Sequence, residues 1–133
     1  MIALLDTNTC IFFLNQVRPL VRAQFEARSP KDIALCSVVK AELLFGAYRS
    51  ARVDANLQRL RTFFSPLRCF PFDDRCAEQY ALIRADLMAQ GRPIGPNDLM
   101  IAATARANEA ILVTNNTKEF GRVAGLRLED WTT

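Results

Sequence analysis

Met1-Ile2-Ala3-Leu4-Leu5-Asp6-Thr7-Asn8 opens the chain with an unbroken apolar run that stops at a carboxylate and two small polar residues. An unbroken run, where apolar and polar residues do not alternate, marks a strand buried on both faces, as in a parallel sheet covered by helices. Ile33 to Cys36 and Ile111 to Thr114 repeat the pattern, Leu67 to Phe70 repeats it more weakly, and Leu126 to Leu128 predicts a fifth strand at an edge. The segments between them read as helices. Asn8 can cap one running to about Asn15, Pro19 opens a second that Ser29-Pro30 breaks, and Ser37 can cap a strongly apolar third through about Tyr48. Val53, Leu57, Leu60 and Phe64 recur at helical spacing, as do Cys76, Tyr80, Ile83 and Leu87 behind an Asp73 cap. Gly91-Arg92-Pro93 ends that helix, and Pro96 starts another reaching about Asn108. The order β-α-α-β-α-α-β-α-α-β-α-β predicts an α/β fold with a mostly parallel sheet, whose ligands sit past the carboxyl ends of the strands.

The chain has 133 residues, enough for one core, and shows no repeat or linker-like shift, so residues 1–133 read as a single domain. Half the residues are apolar and 23% are charged, the balance of a packed domain and not of a tail. There is no histidine, which excludes Ser-His and Cys-His nucleophile pairs, an imidazole base and His-ligated zinc. The 17 cations, 14 Arg and 3 Lys, lean toward partners that present phosphate or carboxylate, although a surface also needs soluble charge. Cys10, Cys36, Cys69 and Cys76 lack CxxC spacing and each lies in an apolar stretch, which predicts buried free thiols and a reducing cytoplasm. No segment approaches the length of a membrane span, and the first apolar run has no cation before it, so neither export nor insertion is expected.

Most of the acids have structural explanations at helix starts or on wet helix faces, but four invite a second reading. Asp6 follows the first strand directly and should emerge at the carboxyl edge of the sheet, although an Asx turn also explains it. Glu42 shares a helical face with Val38, Val39, Phe45 and Gly46, where an unpaired carboxylate would cost several kcal/mol unless a cation compensates it. Asp98 suits the helix N-terminus opened by Pro96, but the run Leu99 to Ala103 behind it predicts a buried helix aimed at the sheet edge. Glu119 follows the fourth strand in a turn that Thr117 could cap. Gathered over one crevice, these acids would repel one another and call for a hard divalent cation, with oxygen ligands favouring Mg²⁺ or Mn²⁺.

Leu4-Leu5-Asp6-Thr7-Asn8, Ala41-Glu42-Leu43-Leu44-Phe45-Gly46, Pro93-Ile94-Gly95-Pro96-Asn97-Asp98-Leu99 and Leu112-Val113-Thr114-Asn115-Asn116-Thr117-Lys118-Glu119-Phe120 resemble, in order, the acidic motifs of PIN-domain ribonucleases. The likeness is nearest to VapC toxins of type II toxin-antitoxin (VapBC) modules and spans essentially the whole chain. It implies a three-layer α/β/α sandwich with a mostly parallel sheet and a Mg²⁺-dependent endoribonuclease that inhibits translation. By position, Asp6, Glu42 and Asp98 would be the core metal-binding acids and Glu119 the fourth. Asn8 and Thr114 would orient Asp6 or a water, and Asn116, where many relatives carry Asp, would contribute an amide. The resemblance further implies a VapB-type antitoxin crossing the crevice and a toxin homodimer. Its nearest branch cuts initiator tRNA in the anticodon stem-loop.

An RNA substrate needs a positive approach, for which Arg49, Arg52, Arg59, Arg61 and Arg68 form a candidate track. Phe12, Phe13, Phe63 and Phe64 read as core residues. Two rivals use the same acids differently: a haloacid-dehalogenase-like phosphatase with Asp6 as nucleophile, or a regulatory binding module whose acidic pocket holds a cation or a partner's arginine. The phosphatase pattern is incomplete, because Asp6-Thr7-Asn8 lacks its second Asp and Lys31, Lys40 and Lys118 sit in no matching motif.

Overall fold

In the computed structural model, which describes residues 1–133, five short strands form one parallel sheet in the order β3-β2-β1-β4-β5. They are β1 (Ala3–Leu5), β2 (Ile33–Cys36), β3 (Arg68–Phe70), β4 (Ile111–Val113) and β5 (Leu128–Glu129). Leu4 and Leu5 point to opposite faces of β1 and neither has exposed surface, so both faces of the sheet are covered, as the unbroken apolar runs demand. The covering helices are α1 (Thr7–Leu14), α2 (Pro19–Glu26), α3 (Ser37–Tyr48), α4 (Val53–Phe64), α5 (Asp74–Ala89), α6 (Pro96–Ala107) and the single turn α7 (Thr117–Phe120). This is the expected α/β architecture, with a 3₁₀ turn at Pro30–Asp32 that the sequence reading did not anticipate.

The topology decides where the site lies. From β1 the chain moves outward to β2 and β3, then returns to place β4 on the opposite side of β1, so strand order reverses at β1. Leu4 pairs with Ala34 on one side and Leu112 on the other, and the ladder extends one residue past β1 through Asp6 N–H to Val113 O at 3.0 Å. The loops leaving β1 and β4 therefore diverge, and a crevice opens over Asp6.

Several expectations need correction at the ends of elements. Helix α1 is capped by Asp6, whose Oδ1 accepts from Thr9 N–H at 2.9 Å, and not by Asn8. Ser37 is the first residue of α3 and caps nothing; Asn116, and not Thr117, precedes α7. Asp73 does cap α5, accepting from Cys76 N–H at 3.1 Å. Strand β5 starts two residues later than expected and ends one later, where Trp131 Nε1 donates to Glu129 at 2.9 Å and Arg28 reaches the same carboxylate at 3.3 Å. Cys10, Cys36 and Cys76 are buried thiols, but Cys69 lies on the edge strand β3 and is exposed. The four phenylalanines read as core pack inward: Phe13 stacks on Phe25 with centroids 4.1 Å apart, Phe63 completes that cluster, and Phe12 and Phe64 are half-buried against the core.

The centre of the sheet should carry most of the stability. Leu112→Ala, at a fully buried position on β4, is expected to cost about 3 kcal/mol, whereas Arg68→Ala on the exposed edge should stay within about 0.5 kcal/mol. Urea unfolding checks both, with a lower midpoint and unchanged slope for the first variant only.

Candidate active site

Asp6 is carried to the crevice by β1 and held there by α1. Its carboxyl is only 5% exposed, and burial raises its pKa, a shift opposed by the Thr114 hydroxyl and by Thr9 N–H and reinforced by the charge of Glu42. Thr114 is buried at the end of β4 and its Oγ1 also accepts from Asn116 N–H at 2.9 Å, so β4 and its following turn brace Asp6 from one side. Thr9 braces it from the other and donates its hydroxyl to Val113 O at 3.2 Å. Asn8 is exposed in the first turn of α1 and makes no side-chain hydrogen bond, because the capping geometry hands that position to Thr9.

Glu42 sits on α3 at the margin of the core. Val39, Leu43 and Ala47 form the buried face, while Phe45 is 62% exposed, so the apolar face inferred from sequence is only partly internal. One Glu42 oxygen accepts from Thr7 Oγ1 at 2.6 Å and the other from Asn97 Nδ2 at 3.4 Å. Glu119 on α7 accepts from Asn116 Nδ2 at 3.2 Å. Asp98, half-buried in the first turn of α6, has its pKa raised by burial first, then by repulsion from Glu119, Glu42 and Asp6. The favourable helix N-terminus is thus outweighed by desolvation and like charge.

The four acids come from four separate segments and converge on Asp98, yet no basic residue neutralises them. The chain's ion pairs, Arg22–Glu26, Arg28–Glu129 and Arg75–Asp73, all lie elsewhere. No three acids or thiols stand close enough to clasp an ion by themselves. The donors are all carboxylate oxygens, a set that suits a hard cation such as Mg²⁺, which keeps several waters and takes one or two carboxylates. The buried thiols do not compete: burial pushes the Cys36 thiol up to about 11 and raises Cys10 and Cys76 as well.

The arginines of the candidate track are spread over the end of α3, the start and body of α4, and β3. Arg59 lines a groove together with Glu42, but Arg61 lies two positions further along α4, about 200° around the helix. Arg49 covers the Phe45 ring at 5.5 Å, Arg52 precedes α4, and Arg68 lies on the edge strand over Phe70.

Residues 3–126 match the PIN domain model. A tRNA(fMet)-specific endonuclease VapC of Shigella flexneri is 43% identical over 129 residues, covering 97% of each chain. The chain belongs to the PIN-domain family, in its VapC branch. Ribonuclease VapC2 of Rickettsia felis is 39% identical over 98% of each chain. The VapC subunit fold is shared with a DNA-bound VapBC structure from Salmonella typhimurium, at TM-score 0.92 and 37% identity over 98% of each chain.

Set against this VapC frame, Asp6, Glu42, Asp98 and Glu119 are the acids that the fold gathers, with Thr114 and Asn116 beside them. Thr7, Thr9 and Asn97 touch the same carboxylates and went unremarked in the sequence. Thr7 and Asn97 adjoin acidic motif residues, which was the available signal, but hydroxyls and amides at helix starts usually serve as caps.

The raised Asp98 pKa makes a signed forecast. Asp98 favours the fold when protonated, so its stabilising share is complete below the unfolded carboxyl range near about 3.9 and is lost as pH rises through its higher folded value. Asp98→Asn, which mimics the neutral form, should therefore raise the Tm in chelator-treated buffer at pH 7. The gap from wild type should close toward pH 4. Equal Tm values across that range would show that the repulsion is relieved some other way.

Proposed function

We propose that this VapC chain is the toxin of a VapBC pair and that it hydrolyses RNA with a divalent cation, Mg²⁺ or Mn²⁺, held by Asp6, Glu42, Asp98 and Glu119. The observation that carries this reading is the convergence of those carboxylates over the sheet edge without a cationic partner. A bound cation supplies Lewis-acid stabilisation of phosphate charge and eases ionisation of water, which a chain without histidine cannot obtain from an imidazole base.

The protein's own groups do the positioning. Thr9 N–H and the Thr114 hydroxyl position the Asp6 carboxyl and oppose the rise in its pKa that burial causes. Thr7 and Asn97 orient Glu42, and Asn116 holds one oxygen of Glu119 while the other stays open. Asp98 enters from the first turn of α6, beside Asn97, which bonds Glu42, so a phosphodiester laid along the sheet edge meets acids from several elements. Ionised carboxylates there can take the proton of an attacking water.

Initiator tRNA is the proposed substrate, supported by the printed specificity of the Shigella flexneri relative, and arrest of translation is the expected outcome. A VapB-type antitoxin is the proposed partner, supported by the VapBC complexes among the structural relatives, and a homodimer is the proposed assembly. The phosphatase reading is disfavoured by its incomplete pattern: Asp6-Thr7-Asn8 lacks the second Asp, and Lys31, Lys40 and Lys118 sit in no matching motif. A purely regulatory acidic pocket would not need Thr7, Thr9 and Asn97 to fix individual carboxylates.

Incubation of the purified chain with total tRNA and Mg²⁺, followed by mapping of new ends, should show one dominant cut in the initiator anticodon stem-loop. Asp6→Asn and Asp98→Asn should each lower the rate by roughly 100-fold or more while remaining folded. Mg²⁺ should raise the Tm of the wild type and not of Asp98→Asn. Undiminished scission by both variants, or scission in excess chelator, would overturn the metal assignment; release of phosphate from monoesters would restore the phosphatase.

A further inference from the structure

A groove of about 280 Å³ separates α1, α3 and α4, with Glu42 in its wall. Its size is close to the lower bound, about 300 Å³, of small-ligand sites. Leu14 and Leu60 give it apolar sides, and Asn15, Asn56 and Arg59 stand among them. Arg59 Nη2 donates to Asn15 Oδ1 at 3.3 Å and has no acidic partner, which leaves most of its donors and the Asn15 amide N–H groups open. Asn56 Nδ2 donates to Ser50 Oγ at 2.9 Å, leaving its carbonyl oxygen unengaged.

Gly46 supplies an independent observation. It lies inside α3, where glycine weakens a helix relative to alanine. Its backbone is not left-handed and a Cβ there would meet no atom within 4 Å, so neither conformation nor packing requires a glycine. Gly46 lines this groove. The missing side chain leaves the helix backbone there open to approach from outside.

We propose that the groove is a nucleotide subsite, receiving the base and ribose of the residue that flanks the cleaved phosphodiester and selecting that base. The proposal rests on the ribonuclease reading and extends it to sequence choice. Arg59 meets the neighbouring phosphate, Asn15 and Asn56 present amide donors and acceptors to the base edge, and the leucines pack against its faces. Glu42 belongs both to the acid cluster and to this wall, so the groove adjoins the acids through that one residue.

The test fills the groove. Gly46→Leu should fold with unaltered or higher Tm and keep its Mg²⁺-induced Tm rise, yet raise KM at least about 10-fold for the RNA that the wild type cuts in total tRNA. Gly46→Ala, a smaller filling, should raise Tm and impair cleavage less. Arg59→Gln should raise KM and reduce the salt slope of RNA binding by about one. Asn56→Ala should change which base is accepted beside the cut. A folded Gly46→Leu protein with unchanged KM overturns the subsite, as does one that loses only affinity for a VapB-type antitoxin. If the wild type cuts no RNA, or Asp98→Asn cuts as well as it does, the ribonuclease reading fails as a whole; wild-type cutting that requires Asp98 but ignores Gly46→Leu removes the groove alone.

Discussion

Repulsion among carboxylates at the carboxyl edge of the sheet is the constraint around which this molecule is arranged. Asp6, Glu42, Asp98 and Glu119 have no basic partner, and burial of Asp6 and Asp98 makes the charge harder to sustain. An isolated chain tolerates this only because other parts of the structure are strong. Leu4, Leu5, Leu35, Leu112 and Val113 have no exposed surface, and their burial anchors the strands whose ends carry Asp6 and Thr114. The hydrogen bonds from Thr9 and Thr114 oppose the rise in pKa that burial of Asp6 causes, without reversing it. Stability is concentrated in the sheet centre and strain at its edge, the usual partition where a site must be ready for a ligand it does not contain.

The architecture was legible because doubly buried strands leave no polar residue in the run. Ile33–Cys36 was read with its true boundaries, and β1 and β4 differ from their predicted extents only at the ends. Strand β3 gave a weaker signal because it is an edge: Arg68 and Cys69 are exposed, and nothing on that side requires apolar residues. Caps were less legible. Asp6, Thr7, Asn8 and Thr9 can all cap, and the choice of Asp6 depends on β1 ending at Leu5, since the extended backbone of the next residue sets the cap.

The acids could be nominated from their places in the chain, but their bracing could not. Thr7 reaches Glu42 across 35 positions and Asn97 reaches it across 55, separations for which a single sequence has no signal. The arginines nominated as a track come from a helix end, a full helix and an edge strand, a dispersal over three elements that their sequence spacing does not reveal. Only Arg59, on the flank of α4 that faces α1, shares a wall with Glu42. Glycine at position 46 was read as part of an inward face, whereas the helix turns it outward to the groove.

No three acids meet closely enough to clasp an ion unaided, and this bears on how such an enzyme would be controlled. On the proposed reading, a phosphodiester crossing the crevice contributes the oxygens that the protein withholds, so cation and RNA strengthen each other's binding by the reciprocity that links any two ligands. Repulsion among the acids makes that linkage steep, because each charge neutralised by a cation lowers the cost of the remaining carboxylates. A partner protein could exploit the same deficit by placing a guanidinium among the acids, gaining the electrostatic relief otherwise available to the metal while blocking the RNA path. Activation and inhibition would then draw on one quantity, the unneutralised charge that Asp6, Glu42, Asp98 and Glu119 bring to the edge of the sheet.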